Sequence, residues 1–298
     1  MPDKFEDTLS HLHPHAKTLM AQPNSARIEY INEDRWINHE ACSDIRNKVK
    51  SLLFLPPTSQ ATCFLIAGIG GTGKSSLLNK ISSDAKNWAH RRSIAAPHII
   101  LRLSADPTLT NVIKSICEKF GISALSTRKD EIPGEIVKII QARQIKTILI
   151  DEFNHLLGVN RTEQRKNLNF FKNLTGPPLS LNIIAFGTHE ALNAIKLDIQ
   201  LLSRFQVFEL NCWQPGDELR AFLASYEQFL PLRHPSNLSS KAFIDFFTAS
   251  LELTTRNIVN RLKWAAMSSI LNGAEKILVE TLEKATSLPD LTAEYDDE

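Results

Sequence analysis

The chain has 298 residues, 43% of them hydrophobic and 22% charged, with a formal net charge of +1. That composition describes an ordinary globular protein with one large domain or two smaller ones, and it provides no global basic field for nucleic acid. No apolar run approaches the roughly 18 residues of a membrane span and the N-terminus has no signal-peptide core, so a cytoplasmic protein without a membrane partner is expected.

Residues 1–25 read as a polar, flexible lead. His11, His13 and His15 alternate there, but no acidic or cysteine partner follows at ligand spacing. The four cysteines, Cys42, Cys63, Cys117 and Cys212, show no metal-type spacing and fit reduced thiols. Arg27–Ile37 pairs Tyr30-Ile31 and Trp36-Ile37 with charged residues. These four either line a flat apolar pocket for a nucleobase or pack against a core. A helix over 38–54 follows from the spacing of Ala41, Ile45, Val49, Leu52 and Leu53, and Pro56-Pro57 ends it.

Residues 62–78 read as an apolar strand, a glycine-rich turn and the opening of a helix. Gly68-Ile69-Gly70-Gly71-Thr72-Gly73-Lys74-Ser75 fits the phosphate-binding P-loop, with Ser76 next in the helix. Its glycines allow a loop to close around an anion, and loop N–H groups and the helix N-terminus point at the phosphates. Lys74 is expected on the β- and γ-phosphates, and the Ser75 hydroxyl on Mg2+.

A basic, polar stretch, Lys86–Arg92, precedes a buried strand over 98–103. An amphipathic helix over 109–120 ends at Gly121, and a polar loop over 123–133 leads to a helix over 135–142. Thr147–Glu152, TILIDE, is a buried strand ending in two carboxylates, the Walker B pattern. Asp151 is expected to hold Mg2+ and Glu152 to activate the attacking water, while His155 reads as structural.

A helix over 161–174 and a strand over 181–186 lead to Gly187-Thr188. The Thr188 hydroxyl either senses the γ-phosphate or lytic water, or caps the helix over 190–195. Ser203-Arg204-Phe205 then leads into a strand over 207–210. Five strands separated by helices imply a parallel α/β sheet covered on both faces. Active groups belong at its carboxyl ends. From Trp213 four helices over 215–285 read as a small all-α lid, in which Arg256 is either a nucleotide sensor or a surface arginine. The expected division is a lead (1–25), an α/β nucleotide-binding domain (26–212), a helical lid (213–288) and an acidic tail (289–298).

Together these motifs resemble an AAA+ ATPase. The finer resemblance is to the TniB/TnsC family of DNA-transposition regulators. It is carried by Arg27-Ile28-Glu29-Tyr30-Ile31, Trp36-Ile37, Ile150-Asp151-Glu152, Phe186-Gly187-Thr188-His189-Glu190-Ala191-Leu192 and Leu202-Ser203-Arg204-Phe205. The resemblance implies ATP with Mg2+, ATPase activity, and head-to-tail homo-oligomers, filaments or rings, on double-stranded DNA. It also implies recruitment of a transposase, with a target-selector protein as a further partner. Arg204 would be an arginine finger donated to the neighbouring subunit's ATP. Thr127, Arg128 and Lys129 would contact the DNA backbone irrespective of sequence. Leu253-Thr254-Thr255 stand where a glycine usually precedes the sensor arginine, a departure at Arg256. The rival readings are a helicase loader or protein remodeller, and a nucleotide-regulated signalling switch without a DNA role.

Overall fold

A computed structural model describes residues 9–56, 58–92, 97–122 and 132–295. The chain divides into two compact units. One is Ala41–Asn211, and the other joins the residues up to Glu40 with Cys212 onward.

The first unit is built on a parallel sheet of five strands: β1 (Cys63–Ala67), β2 (His98–Arg102), β3 (Thr147–Asp151), β4 (Asn182–Gly187) and β5 (Phe205–Glu209). Their spatial order is β2-β3-β4-β1-β5. The strand sequences explain this order. CFLIA and TILID are buried at every position, and NIIAFG at all but its first, as interior parallel strands covered on both faces must be. β2 and β5 are partly exposed and take the edges. All pairings are parallel, with Leu65 opposite Ala185 and Leu149 opposite Ile184. One core cluster gathers Leu65, Ile148, Ile150 and Ile183 with Phe153, Phe171 and Leu168. The strand before Leu210 begins two residues earlier than the pattern over 207–210 suggested, because Phe205 pairs with Cys63.

The helix Lys74–His90 springs from the P-loop and buries Leu77, Leu78, Ile81 and Ala85. Glu40–Phe54 is the helix that precedes β1. The helices Leu109–Lys119 and Arg161–Leu174 fall within a residue of where periodicity put them. Gly121 sits at φ 71°, the left-handed conformation that ends the former.

The second unit is helical, and it corrects the expected division of the chain. The sequence pattern places residues 26–40 in the nucleotide-binding domain and 1–25 in a flexible lead. Instead, Asn24–Asn32 is a helix that packs against Thr255–Leu271. Its Ile28 and Ile31 enter a cluster with Trp213, Leu223, Phe247 and Leu262. Pro14–Leu19 is a further helix with Ala16 fully buried, held with Leu12 against Tyr30. The cause is apolar spacing: Leu12, Ala16 and Leu19 recur every three or four residues and need a partner surface. The stretch over 273–285 is helical only from Val279 to Lys284.

Arg27 pins this unit. It is 2% exposed and forms a two-pronged ion pair with Glu275, Nη1 standing 2.8 Å from Oε1. Its Nε and Nη2 also donate to the Pro231 carbonyl, at 3.1 and 2.6 Å. The Lys263 ammonium donates to the Asn32 carbonyl at 2.7 Å, satisfying an orphan acceptor at the end of Asn24–Asn32.

Candidate active site

The site is assembled where β1, β3 and β4 end. Each strand terminates at its carboxyl edge in a chemically distinct group: the P-loop after β1, the acid pair after β3 and Gly187-Thr188 after β4. Gly68 N–H donates to the Gly187 carbonyl at 3.1 Å, tying the first and last of these together. A Cβ on Gly68 would collide with the Leu210 carbonyl oxygen and lie 2.9 Å from Thr72 Oγ1, so the loop's first residue must be glycine.

Gly73 adopts φ 96°, ψ 12° as the N-cap of Lys74–His90, which no ordinary side chain tolerates well. No side chain caps this helix and no acid lies in its first turn. Its N–H groups and positive dipole end therefore remain available to an anion. The Lys74 ammonium donates to the Gly68 and Ile69 carbonyls at 2.7 and 2.6 Å, folded over the loop it belongs to. Thr72 is 3% exposed and its hydroxyl donates to the Ile69 carbonyl at 3.0 Å, so its side chain braces the loop from inside.

Asp151 is buried at 3% exposure. Its Oδ2 accepts from the Ser75 hydroxyl at 3.4 Å and faces the Arg102 guanidinium at 3.3 Å. Its Oδ1 accepts from Glu152 N–H at 3.1 Å. The Ser75 and Asp151 oxygens are a hard-oxygen pair of the kind that holds Mg2+ together with substrate phosphates. Among the described residues no group of three or more His, Cys, Asp or Glu forms a metal cage. A metal here would therefore depend on ligands brought by a nucleotide.

Glu152 lies in the left-handed region, φ 57°, ψ 40°. A non-glycine residue there is uncommon and costs of order 1–3 kcal/mol, the kind of strain found at functional sites. The turn lifts its carboxylate out of the core to 44% side-chain exposure, 4.0 Å from His155 Nε2. His155 Nδ1 donates to the Leu103 carbonyl at 3.1 Å, which fixes the ring.

Thr188 does not cap the following helix; Glu190 occupies the cap position of Ala191–Ile195. Among the described residues the buried Thr188 hydroxyl meets no hydrogen-bond partner, an unmet polar group that a phosphate oxygen or water would satisfy. Asn154 completes the arrangement and was missed by sequence reasoning. Its Oδ1 accepts from Thr188 N–H at 3.1 Å and would lie 3.0 Å from a Cβ on Gly187. It thus joins the end of β3 to the end of β4. The signal for it was the glycine at 187, which leaves room for a side chain from the turn that follows the neighbouring strand.

The remaining site candidates lie elsewhere. Arg204 precedes β5, and its carbonyl accepts from Cys63 N–H at the opposite end of β1 from the P-loop, about 16 Å away at strand spacing. Its guanidinium donates to the Lys172 carbonyl at 3.2 Å and to the Thr175 hydroxyl, closing the end of Arg161–Leu174. Within one chain it takes no part in the site. Tyr30 and Ile31 are 4% and 1% exposed inside the helical unit, which leaves them no free face for a base and corrects the pocket reading for both. Trp36 and Ile37 are half-buried, and Ile37 packs on the core of the helical unit. Arg256 is exposed in the first turn of Thr255–Leu271, where Thr254 caps the helix by accepting from Asn257 N–H. Thr127, Arg128 and Lys129 lie outside the described residues.

A parallel sheet in this strand order, with a phosphate cradle after β1, an acid pair after β3 and a polar hydroxyl after β4, defines the fold of the AAA+ P-loop ATPases. The chain belongs to the bacterial TniB protein family, whose model matches residues 27–215. Its fold is similar to that of the Aeropyrum pernix ORC2 protein in ADPNP-ADP complexes. There the TM-score is 0.65 at 15% identity, over 91% of this chain and 74% of that one. The Aeropyrum pernix ORC1 protein in complex with DNA gives a TM-score of 0.60 at 14% identity, over 87% and 68%. AMPPCP-bound DnaA from Aquifex aeolicus gives 0.51 at 20% identity, over 84% and 66%. Comparison with curated protein sequences returned no match.

Proposed function

We propose that this protein is an ATPase regulating DNA transposition, which assembles on double-stranded target DNA when ATP is bound and comes apart on hydrolysis. The observation that carries the ATPase reading is the convergence of Lys74, Ser75, Asp151, Glu152 and Thr188 at the carboxyl ends of three adjacent strands. In this reading Lys74 leaves the Gly68 and Ile69 carbonyls and neutralises the β- and γ-phosphates. Ser75 and Asp151 would hold Mg2+, which would supply charge neutralisation for the phosphates. Glu152 accepts the proton of the attacking water, and its turn presents the carboxylate toward solvent rather than core. Thr188 donates its unused hydroxyl proton to the water or the γ-phosphate, with Asn154 holding its backbone in place.

Arg204 lies too far from its own P-loop to act there, so its proposed role is on the neighbouring subunit's γ-phosphate in an oligomer, filament or ring. The alternative, capping of Arg161–Leu174 alone, rests on the hydrogen bonds already described. Membership of the TniB family supports DNA, a transposase and a target selector as partners, and the likeness to a DNA-bound ORC1 protein supports DNA. Contacts by Thr127, Arg128 and Lys129 remain part of the proposal, as do Trp36, Ile37 and Arg256 near the nucleotide. No helix among the described residues is long and apolar enough to cross a membrane.

The test is electron microscopy and ATPase measurement with duplex DNA. ATP-dependent polymers and DNA-stimulated hydrolysis are expected. Hydrolysis without DNA binding at low salt would instead favour a protein remodeller or a signalling switch.

A further inference from the structure

Away from the P-loop, the helices Glu40–Phe54 and Lys74–His90 enclose a cavity of about 260 Å³. Its position follows from the helix that forms one wall. Lys74 and Ser75 occupy that helix's first turn, whereas the cavity is lined by residues 81–91 at its other end. It is therefore separate from the phosphate cradle, by roughly 10 Å or more along the helix axis.

The lining is chemically mixed. Leu53 and Ile81 give an apolar floor, and the half-buried Trp88 indole adds an aromatic wall. Asn47 and Asn87, both exposed, line it from the two helices. Lys50 and Arg91, both exposed, stand at the cavity as cations. Among the described lining residues the one carboxylate is Asp84, which pairs with Arg46 and Lys80. Burial raises its pKa, but Arg46, with Nε at 3.0 Å, and Lys80, at 3.1 Å, outweigh this and hold it below the ordinary carboxylate value. Among the described lining residues the cations Arg46, Lys50 and Arg91 outnumber this carboxylate. The basic run continues past the helix into Arg92, whose guanidinium lies 5.0 Å from the Trp88 ring centre.

We infer that this cavity is a binding site for single-stranded nucleic acid, seating one unpaired base beside Trp88 with the flanking phosphates on Lys50 and Arg91. The inference is independent of the ATPase reading. Each feature answers one part of a nucleotide. The apolar floor and indole suit the flat faces of a base, and such stacking is the usual platform for single strands. The two amides offer both donors and acceptors to a base edge. The cations meet phosphates without regard to sequence. Duplex DNA keeps its bases stacked inside the helix and would leave the apolar floor unfilled. An acidic peptide would satisfy the cations but make no comparable use of the paired amides.

The test uses the full chain in nucleotide-free buffer with a chelator, and fluorescence anisotropy of a labelled oligothymidylate over a range of salt. The double variant Lys50→Ala/Arg91→Ala should flatten the log–log salt slope by about 1.4, two phosphate contacts at roughly 0.7 each for a single strand. Trp88→Ala should weaken binding by about tenfold or more, and Trp88→Phe should retain most of it. Lys114→Ala/Lys119→Ala, which removes two exposed cations from another helix, should leave the slope unchanged. An equal loss in both double variants would reduce the effect to overall charge and overturn the site. Preference for duplex over single strand, or full competition by free AMP, would overturn it as a strand-binding pocket. Because ATP is absent and the cavity lies at the far end of the helix from Lys74 and Ser75, this binding is read without any hydrolysis, so failure here is distinct from failure of the ATPase reading.

Discussion

Replacing Arg27 by methionine tests the claim that residues up to Glu40 belong structurally with the distant helical segment. The change keeps much of the side chain's apolar volume but strips Glu275 of its two-pronged partner and the Pro231 carbonyl of both donors. Glu275 has only 11% side-chain exposure and would retain Arg233, whose Nε stands 3.7 Å away and whose N–H donates at 3.2 Å. Breaking a buried ion pair by removing one partner costs about 3–5 kcal/mol, and the residual Arg233 contact argues for the lower end, about 3 kcal/mol. That corresponds to a roughly 150-fold larger open population of the helical unit. The readout is native-state hydrogen exchange across Asn24–Asn32, which isolates this unit where a single global unfolding curve would blend two. Adding Glu275→Leu should recover most of the loss, because an apolar pair leaves no stranded charge. The pH dependence has a defined sign. Burial raises the Glu275 pKa, but Arg27 and Arg233 together more than offset it and hold the folded value below the ordinary one. The pair's contribution is therefore complete above about pH 4.5 and disappears as pH falls through the lower folded value. Unchanged exchange in Arg27→Met, or no recovery in the double variant, would refute the reasoning.

Other outcomes follow from the site and core. Lys74→Ala should abolish fluorescent-nucleotide binding and ATP-dependent assembly together. Glu152→Gln should keep ATP binding but trap the assembled state, visible as polymers that persist under hydrolysing conditions; normal turnover would remove Glu152 from the chemistry. Gly68→Ala should destabilise the sheet unit by at least about 2 kcal/mol in urea unfolding, since its Cβ meets the Leu210 carbonyl. His98 is 6% exposed, and burial, helped by Lys86, lowers its pKa to about 4. Its unfolded form binds a proton that the folded form refuses, so stability should fall between about pH 6.5 and 4 and His98→Gln should flatten that slope.

Much of the site was legible because it is local in sequence. The P-loop residues Gly68–Ser75 are contiguous, and Asp151-Glu152 end one strand, so spacing alone located them. The strands were equally plain, since a strand buried on both faces must be a continuous apolar run, as β1 and β3 are. What escaped was non-local. Asn154 acquires its role only because β3 and β4 are neighbours, an adjacency fixed by topology rather than by order along the chain. Tyr30 and Ile31 looked like pocket residues because apolar side chains among charges fit a binding rim as well as one buried helix face. For Ile31 only the partner surface, more than 180 residues away at Trp213, distinguishes the two, whereas Tyr30 is covered by Leu12 and Ala16. Arg204 posed the reverse problem, since its sequence context suggested chemistry while its own chain supplies a capping role.

The pairing of Arg27 with Glu275 also bears on synthesis. These residues are 248 positions apart. At ordinary translation rates of about 5–20 residues per second, Arg27 and the apolar face of its helix wait about 10–50 s for their partner. The whole sheet unit is made in the interval. Until Trp213 and the helices after it emerge, the nascent chain therefore carries Ile28 and Ile31 without their native cover, a window in which a chaperone or a second nascent copy would find them.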